Sequence, residues 1–549
     1  MKKIIYIISG LALFLVLASA TEGSPFFELS KQIEIFSELF KNINNLYVDE
    51  PEPSTLMKTF IDGLLAQTDP YTNYYTESQI ENSRINESEK ITGIGVQYAF
   101  FDSVATVTEI IQGLAADKAG MQVGDKILAI NDKSVVGKSD EDISKALKGE
   151  AGSELSIKIG NASGEKNITL KRVEFHETNV PFFGMLNKET GYINLKIFNP
   201  NAAKDVHFAF DSLRKKNPEM QNLILDLREN PGGLLQEAVK IVNLFIPKNK
   251  LVTTMRGRIE SANATYKTLD EPIDVNIPIV VLTNSHSASA SEIVSGALQD
   301  YDRAVIMGQK TYGKGLVQQV KNLPYGTALK VTIAKYYIPS GRCIQAINYA
   351  ERNADGSVSR VPDSLKVAFK TASGRKVFDG GGIDPDKILA TGVENSFISA
   401  LQKQHLIFDF ATQYKKEHAS IASSAEFSLT DADYDKFTAF AQNKKFSYKS
   451  KTDSLLEQLK TASTEEDYFT AIEKNYDTTL TKIASTKDIN FTNYKPEISA
   501  LIESEICNRY YYTSGKIEKS IQTDPFVKSA ISLLNTPKEY SDLLTAKAK

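Results

Sequence analysis

The chain has 549 residues, 42% of them hydrophobic and 24% charged, an ordinary globular composition that at roughly 150 residues per domain suffices for about three to four domains. Glycine and proline together are 31 + 18 = 49 residues, which excludes collagen-like and low-complexity classes, and 64 − 68 = −4 is too small a net charge for a general nucleic-acid binder. Two cysteines, Cys343 and Cys507, cannot build a disulfide framework; with 507 − 343 = 164 positions between them, both are expected to be free thiols.

Met1-Lys2-Lys3, the almost wholly apolar Ile4–Leu17 and Ala18-Ser19-Ala20 have the layout of a secretory signal cut after Ala20. Its apolar core, about 14 residues, is too short for a comfortable membrane span, and no cysteine follows that could carry a lipid. An uncleaved anchor is the alternative. The mature protein is expected to be exported, periplasmic or extracellular, with no stable membrane insertion and a net charge of −4 − 2 = −6. Residues 21–87 then read as helical. Ile33, Ile35, Phe36, Leu39, Phe40 and Ile43 recur at helical spacing, Pro51 and Pro53 break the chain, and a second helix runs through Leu56, Phe60, Ile61, Leu64 and Leu65. The helical character extends to about Ser83.

Over residues 88–172 the period changes to strands and turns, with one short helix begun by Ser139, where Asp142 completes a weak capping box. Residues 173–395 alternate strands and helices. Leu223–Leu227 and Ile277–Leu282 are near-continuous apolar runs, as in α/β strands buried on both faces. Residues 396–549 are mostly helical, lysine-rich and poor in glycine. There is no internal repeat.

In the second block, Gly93-Ile94-Gly95-Val96 opens a strand continued by Gln97–Phe100. Glycines there let the backbone come close to a ligand. Together with Gly113–Asn131, these residues resemble a PDZ domain. In that family such a loop offers N–H groups to a peptide's terminal carboxylate, and the strand after it pairs with the peptide. The resemblance implies that Gly93, Ile94, Gly95 and Val96 bind peptide. Ile94 and Val96 flank the loop, and Ile143 and Leu147 of the short helix face it across an apolar pocket. The partners implied are proteins or peptides with apolar C-termini.

Three segments of the α/β block carry chemistry. Asp226-Leu227-Arg228-Glu229-Asn230-Pro231-Gly232-Gly233 joins a buried strand to an amphipathic helix, Leu234–Phe245, and its glycines can turn N–H groups toward an anion; an ordinary tight turn is the bland reading. Ser287-Ala288-Ser289-Ala290-Ser291-Glu292 stands between a strand and a helix, where a serine among small residues resembles a nucleophile elbow, or merely caps the helix. A nucleophilic serine needs a base. No motif places any of the five histidines, His176, His207, His286, His405 and His418, and His286 is only three residues from Ser289. A buried lysine of lowered pKa is the other choice. Thr311-Tyr312-Gly313-Lys314-Gly315, followed by Gln318, supplies one flanked by glycines. Gly308–Gly315 almost spells a P-loop, but Gly315 has no hydroxyl for magnesium, and Ala328–Ile333 reads as a strand where a helix is needed. Ser212–Lys215 matches S-x-x-K without its partner motifs. Asp431, Asp433 and Asp435 begin like a calcium loop, but Lys436 and Gln442 stand where glycine and glutamate belong. No metal or organic cofactor is implied.

These segments, in this order behind a PDZ-like block, resemble the C-terminal processing peptidases, or tail-specific proteases, over about Phe26 to Asn395. The resemblance implies a serine endopeptidase with a Ser/Lys dyad. In that family the serine precedes the lysine by 25 residues, here 314 − 289 = 25, and the glutamine follows four later. That selects Ser289, Lys314 and Gln318, and separates Ser289 from Ser287 and Ser291. It also implies an oxyanion hole made by the N–H of Ala290 with that of Gly232 or Gly233. Gly380–Asp386 resembles the family's closing segment; the last 150 or so residues match nothing. The implied fold is multidomain α+β: an N-terminal helical segment, a PDZ-like β-rich domain, an α/β peptidase core and a helical C-terminal region. The implied function is an exported endopeptidase that recognises C-terminal tails; a catalytically inactive PDZ adaptor is the alternative.

Overall fold

The computed structural model describes residues 25–77, 79, 91–161, 164–353, 357–390 and 395–545, and the expected signal segment over residues 1–20 lies outside them. The chain divides into two units, residues 1–74 with 329–331 and residues 75–328 with 332–549.

The first unit holds α1 (Pro25–Leu46) and α2 (Pro53–Leu65). Proline at the start of α2 has the φ a helix needs and gives up no hydrogen bond there, and the Glu52 carboxylate accepts from Thr55 N–H. Phe36 stacks on Phe60 with 4.2 Å between ring centroids. The helical character expected as far as Ser83 is interrupted before that point, and Glu77 and Gln79 are helical again. The Asp69 carboxylate accepts from the N–H groups of Tyr71 and Thr72 across Pro70, a turn that closes helical geometry. A short strand, β1 (Asn73–Tyr75), follows, and residues 80–83 are outside the described set.

In the second unit, the PDZ-like block contains β2 (Ile91–Gly93), β3 (Val96–Phe101), β4 (Val104–Ile110), β5 (Lys126–Ile130), β6 (Glu154–Asn161), β7 (Gly164–Lys171) and β8 (Val173–Phe175), with helices α3 (Ala115–Lys118) and α4 (Asp140–Leu147). The antiparallel order is β3-β4-β5-β6-β7, which leaves β3 at an edge. As the sequence suggests, Ser139 caps α4 by accepting from Asp142 N–H. The apolar face of α4 is turned into the block. Ile143 and Leu147 belong, with Ile94, to the buried core of the block, and Ile94 is only 2% exposed.

The α/β block runs β9 (Phe182–Met185), β10 (Thr190–Asn194), α5 (Ala202–Lys216), β11 (Asn222–Asp226), α6 (Leu235–Phe245), β12 (Leu251–Gly257), β13 (Ala264–Lys267), β14 (Ile279–Thr283), α7 (Ala290–Asp300), β15 (Val305–Gly308), β16 (Leu316–Asn322), β17 (Ala328–Tyr337) and β18 (Lys387–Ile388). Its main sheet has the order β9-β10-β11-β14-β15-β18, parallel except for β9. Every residue of β11 and β14 is buried. Alternation along a strand sends successive side chains to opposite faces, so both faces must be covered. Leu223, Leu225, Ile279 and Val281 pack with Phe210, Ile241, Phe245 and Val294 of α5, α6 and α7. Ile224, Val280, Leu282 and Met307 point the other way.

That second face is covered by the C-terminal region: α8 (Ser396–Lys403), α9 (Leu406–Glu417), α10 (Asp431–Asn443), α11 (Lys451–Glu465), α12 (Phe469–Asn493), α13 (Lys495–Thr523), α14 (Pro525–Leu534) and α15 (Pro537–Leu544). Ile521 of α13 and Val527, Ala530, Leu533 and Leu534 of α14 lie on Ile224, Val280 and Leu282. Burying each of the larger aliphatic side chains contributes roughly 1.5–3 kcal/mol, so this region is a structural layer of the sheet. Asp431 and Asp433 sit in the first turn of α10, capped by Thr430. α13 kinks at Tyr512, whose φ is 58°. The region also meets the PDZ-like block: Phe101 stacks on His405 at 3.6 Å, and the Tyr512 hydroxyl donates to Asp117 at 2.8 Å. Cys343 and Cys507 are both free.

Candidate active site

Three loops leave the carboxyl ends of adjacent parallel strands β11, β14 and β15, where ligands of open α/β sheets bind. They are the three segments singled out in the sequence.

The loop after β14 carries three serines with different fates. The Ser287 hydroxyl donates to Leu227 O at 2.8 Å and accepts from Asn284 N–H. The Ser291 hydroxyl donates to Asn230 O at 3.0 Å. Both are buried and hold the loop after β11 in place. Ser289 between them is partly exposed, and its backbone is held at φ 55° and ψ −111°, a strained region for a residue with a Cβ. Strain at a strand-to-helix junction is what a nucleophile elbow stores. α7 begins at the next residue, so Ala290 N–H is one of the first-turn donors that has no intrahelical partner.

The loop after β11 lies against this elbow because Gly232 permits it. Its φ is +103°, and a Cβ there would fall 2.8 Å from Ala288 O, 2.9 Å from Ser289 Cβ and 3.0 Å from Ala290 N. Gly233 faces elsewhere: its Cβ would fall 2.4 Å from Phe198 O. Gly232 is therefore the glycine beside Ser289, with its N–H donated to Asn230 Oδ1 at 2.9 Å. The root of this loop is a charged knot. Arg228 bonds Asp226 through Nε and Nη2 and Asp524 through Nη1 at 2.7 Å, and Tyr192 donates to Asp226 at 2.7 Å. Burial opposes the Arg228 charge, but Asp226 and Asp524 outweigh it and raise its pKa above the usual arginine value. Burial, then Asp226, pushes the Tyr192 phenol well up.

The third loop is joined to the serine by one fully buried carboxylate. Glu292 Oε2 accepts from Ser289 N–H at 2.9 Å and Lys314 N–H at 2.8 Å; Oε1 accepts from Gly313 N–H at 2.7 Å and the Thr311 hydroxyl at 2.6 Å. Burial raises the Glu292 pKa, and these four bonds oppose the rise. Gly313 and Gly315 let the loop press against Gln345 and Ala346, with Cβ positions that would fall 2.3 Å from Ala346 Cβ and 2.6 Å from Gln345 N. The Gly380–Asp386 segment closes the far side: a Cβ on Gly382 would lie 2.7 Å from Thr311 Oγ1. Lys314 is partly buried, and Gln318 on β16 donates to Thr332 Oγ1 of β17 at 3.2 Å.

The fold thus brings Ser289, Ala290, Gly232 and the Lys314 backbone together. Four histidines are engaged elsewhere: His286 with Glu229, His207 with Asp211, His405 on Phe101 and His418 on Tyr414. The sequence reading gave no role to Glu292, although S-x-x-E from Ser289 is a capping-box signature. Nothing local in the sequence points to Asp524. Among the described residues no His, Cys, Asp and Glu group could hold a metal ion, and no helix is long and apolar enough to cross a membrane.

In the PDZ-like block, Gly95 has φ +81°, and a Cβ there would meet Leu114 at 2.7 Å. The carbonyls of Ile94 and Gly95 are turned inward, accepting from Ala116 and Ile111 N–H, both at 2.9 Å. The edge of β3 runs on from this loop. The Tyr98 hydroxyl donates to Asp140 O at 3.2 Å, reaching from β3 to the start of α4.

Comparison with known proteins defines the class. Residues 189–351 match peptidase family S41, residues 106–160 a PDZ domain, and residues 397–534 the C-terminal helical domain of probable PDZ-proteases. The last match corrects the expectation that the C-terminal region matches nothing. The chain is a serine-type protease with a PDZ domain. A carboxy-terminal-processing protease of Bartonella bacilliformis is 31% identical over 351 residues, 63% of this chain and 81% of that protein. A probable CtpA-like serine protease of Staphylococcus aureus is 33% identical over 309 residues, 56% of this chain and 61% of that one. A solved photosystem II D1 C-terminal processing protease is 25% identical, covering 64% of this chain and 92% of that one with a TM-score of 0.36. The chain belongs to the carboxy-terminal-processing protease family.

Proposed function

We propose that the chain is an exported endopeptidase that holds a protein substrate by its apolar C-terminal tail and cuts upstream with a Ser289/Lys314 dyad. The tail carboxylate meets the loop Gly93–Val96, and the tail pairs with the edge of β3. Neutral Lys314 takes the proton of the Ser289 hydroxyl as Oγ bonds the scissile carbonyl carbon. The developing oxyanion is held by Ala290 N–H and an N–H of Gly232 or Gly233; donation from Gly232 requires it to leave Asn230. The C–N bond breaks with the proton passed from Lys314 to the leaving amine. Water, deprotonated by Lys314, then attacks the ester carbon; the C–O bond to Ser289 breaks and Lys314 returns the proton to Ser289 Oγ. Gln318 orients the lysine amine. The observation that carries this reading is the Glu292 carboxylate, which ties the N–H groups of Ser289 and Lys314 to one point. Ser287 and Ser291 also support it, since their hydroxyls are committed to the neighbouring loop.

The test is one unfolded protein substrate carrying an -Ala-Ala, -Asp-Asp or amidated end. The first should be cut fastest, because an amide loses the charge-assisted bonds and an aspartate brings a second charge into an apolar pocket. Equal rates for all three would remove tail recognition. Ser289→Ala and Lys314→Ala should each lower turnover by orders of magnitude. A Lys314→Ala enzyme that stays active, with a histidine variant that does not, would remove the dyad. N-terminal sequencing of the exported protein should begin at Thr21.

A further inference from the structure

The C-terminal helices enter the active-site neighbourhood at one charged residue. Asp524 stands between α13 and α14, and its two carboxylate oxygens do different work. Oδ1 accepts from Phe526 and Val527 N–H at 2.7 and 3.3 Å, capping α14. Oδ2 pairs with Arg228 Nη1 at 2.7 Å. Arg228 also lies over the Phe526 ring, 5.4 Å from its centroid. Its side chain and that of Asp524 are 18% and 19% exposed, so the pair is little screened by solvent.

Arg228 is four residues before Gly232. Its own N–H donates to Asp226 at 2.9 Å, and it is followed by Glu229 with φ 57°. From there the chain passes through Asn230, whose carbonyl accepts from Ala288 N–H and the Ser291 hydroxyl, to Gly232 against Ser289. The guanidinium is clamped from both sides, by Asp226 of its own strand end and by Asp524 of a helix 524 − 228 = 296 positions away. Removing one carboxylate leaves Arg228 held from one side only, and lets the root of the loop pivot about Asp226.

We propose that Asp524 is a positioning residue for the peptidase: through Arg228 it fixes the pitch of the 227–233 loop and so the place of the oxyanion N–H beside Ser289. The helical C-terminal region thereby completes the catalytic centre as well as covering the sheet. This inference rests on the assignment of that loop to the oxyanion hole.

Two substitutions in the full-length protein separate the pair from the cap. Asp524→Asn keeps a good N-cap oxygen and loses the charge; Asp524→Glu keeps the charge and weakens the cap. Turnover of a fluorogenic peptide is divided by the active-site concentration titrated with a fluorophosphonate, so unfolded molecules are not counted, and Tm is measured alongside. Loss of one oxyanion donor costs about 10²–10³ in kcat; a loosened donor should cost less. Asp524→Asn should lower kcat per titrated site about tenfold with KM unchanged and Tm close to wild type, while Asp524→Glu keeps most of kcat with a lower Tm. A purely structural residue gives the reverse: kcat per site unchanged in both and Tm falling wherever the cap is lost. That result overturns the inference. Should Asp524→Asn fail to yield titratable enzyme while Asp524→Glu is active, the charge is required for folding, and the positioning role is likewise overturned. Ser289→Ala is run in parallel. If it still turns over, the proposed function falls; if it is dead and Asp524→Asn has full kcat, only this inference falls.

Discussion

Replacing Glu292 by glutamine is the sharpest perturbation of the site that leaves its shape intact. The carboxylate receives four donors, two on each oxygen. An amide has one oxygen, so whichever way it turns, two of the four face an NH2 group. Each buried donor left without an acceptor costs about 1–3 kcal/mol, hence about 2–6 kcal/mol for two. Against this stands the relief of a buried charge, since burial raises the Glu292 pKa. The two effects are expressed differently. The charge relief appears in stability, whereas the lost bonds include those that set the Ser289 and Lys314 backbones. If about 3 kcal/mol of the loss appears in the transition state, kcat falls about a hundredfold. The assay is kcat per fluorophosphonate-titrated site, with Tm measured across pH. A folded pKa above the unfolded one means that wild-type stability is fully present below the unfolded pKa and falls as pH rises through the folded pKa. Glu292→Gln has no proton to lose there, so the wild-type advantage in Tm should shrink as pH rises. Wild-type kcat in a well-folded Glu292→Gln enzyme would refute the claim that this carboxylate aligns the two loops.

Three further outcomes are expected. Gly232→Ala puts a Cβ 2.9 Å from Ser289 Cβ at a φ of +103°, so peptide turnover should be lost while binding of a tail peptide, followed by fluorescence anisotropy, is unchanged. Gly95→Ala sets a Cβ 2.7 Å from Leu114 at φ +81°; it should abolish tail binding yet leave cleavage of a short peptide lacking a recognised tail within about twofold, on the ground that distant sites act independently. The proposed dyad needs a neutral base, so with chemistry limiting the rate should rise with pH, and a rate independent of pH would remove lysine as the base.

Much of the fold could be read locally, and the exceptions have physical causes. Leu223–Leu227 reads as a strand buried on both faces, as β11 is, because an unbroken apolar run has no solvent side. Which element lies on the second face cannot be read there: α14 is an amphipathic helix like any other until Val527 and Leu533 meet Ile224 and Leu282. The Ser139 cap is legible because a cap is a bond between residues three apart. The first helical region is interrupted at Asp69-Pro70, a turn made by bonds that the Asp69 carboxylate accepts from the next N–H groups, and by the short strand after it, before helix returns at Glu77 and Gln79. At the site, the resemblance and its spacing single out Ser289 and Lys314, while the carboxylate joining their loops stands in the same motif with no local sign of its four long-range partners. Ile94 beside the loop and Ile143 on the facing helix are apolar positions that pack in one core, a contact between segments that the sequence alone does not display. Asp524 is the limiting case, a residue whose relation to Arg228 exists only in the folded chain.

The central claim is that Ser289, alone of the three serines on its turn, is the nucleophile. It is tested most directly by treating the native protein with a fluorophosphonate, digesting it and locating the adduct by mass spectrometry. The account predicts one adduct, on Ser289, formed at a rate that collapses in Lys314→Ala and absent from Ser289→Ala. An adduct on Ser287 or Ser291, or labelling of Ser289 that proceeds unchanged without Lys314, would contradict it.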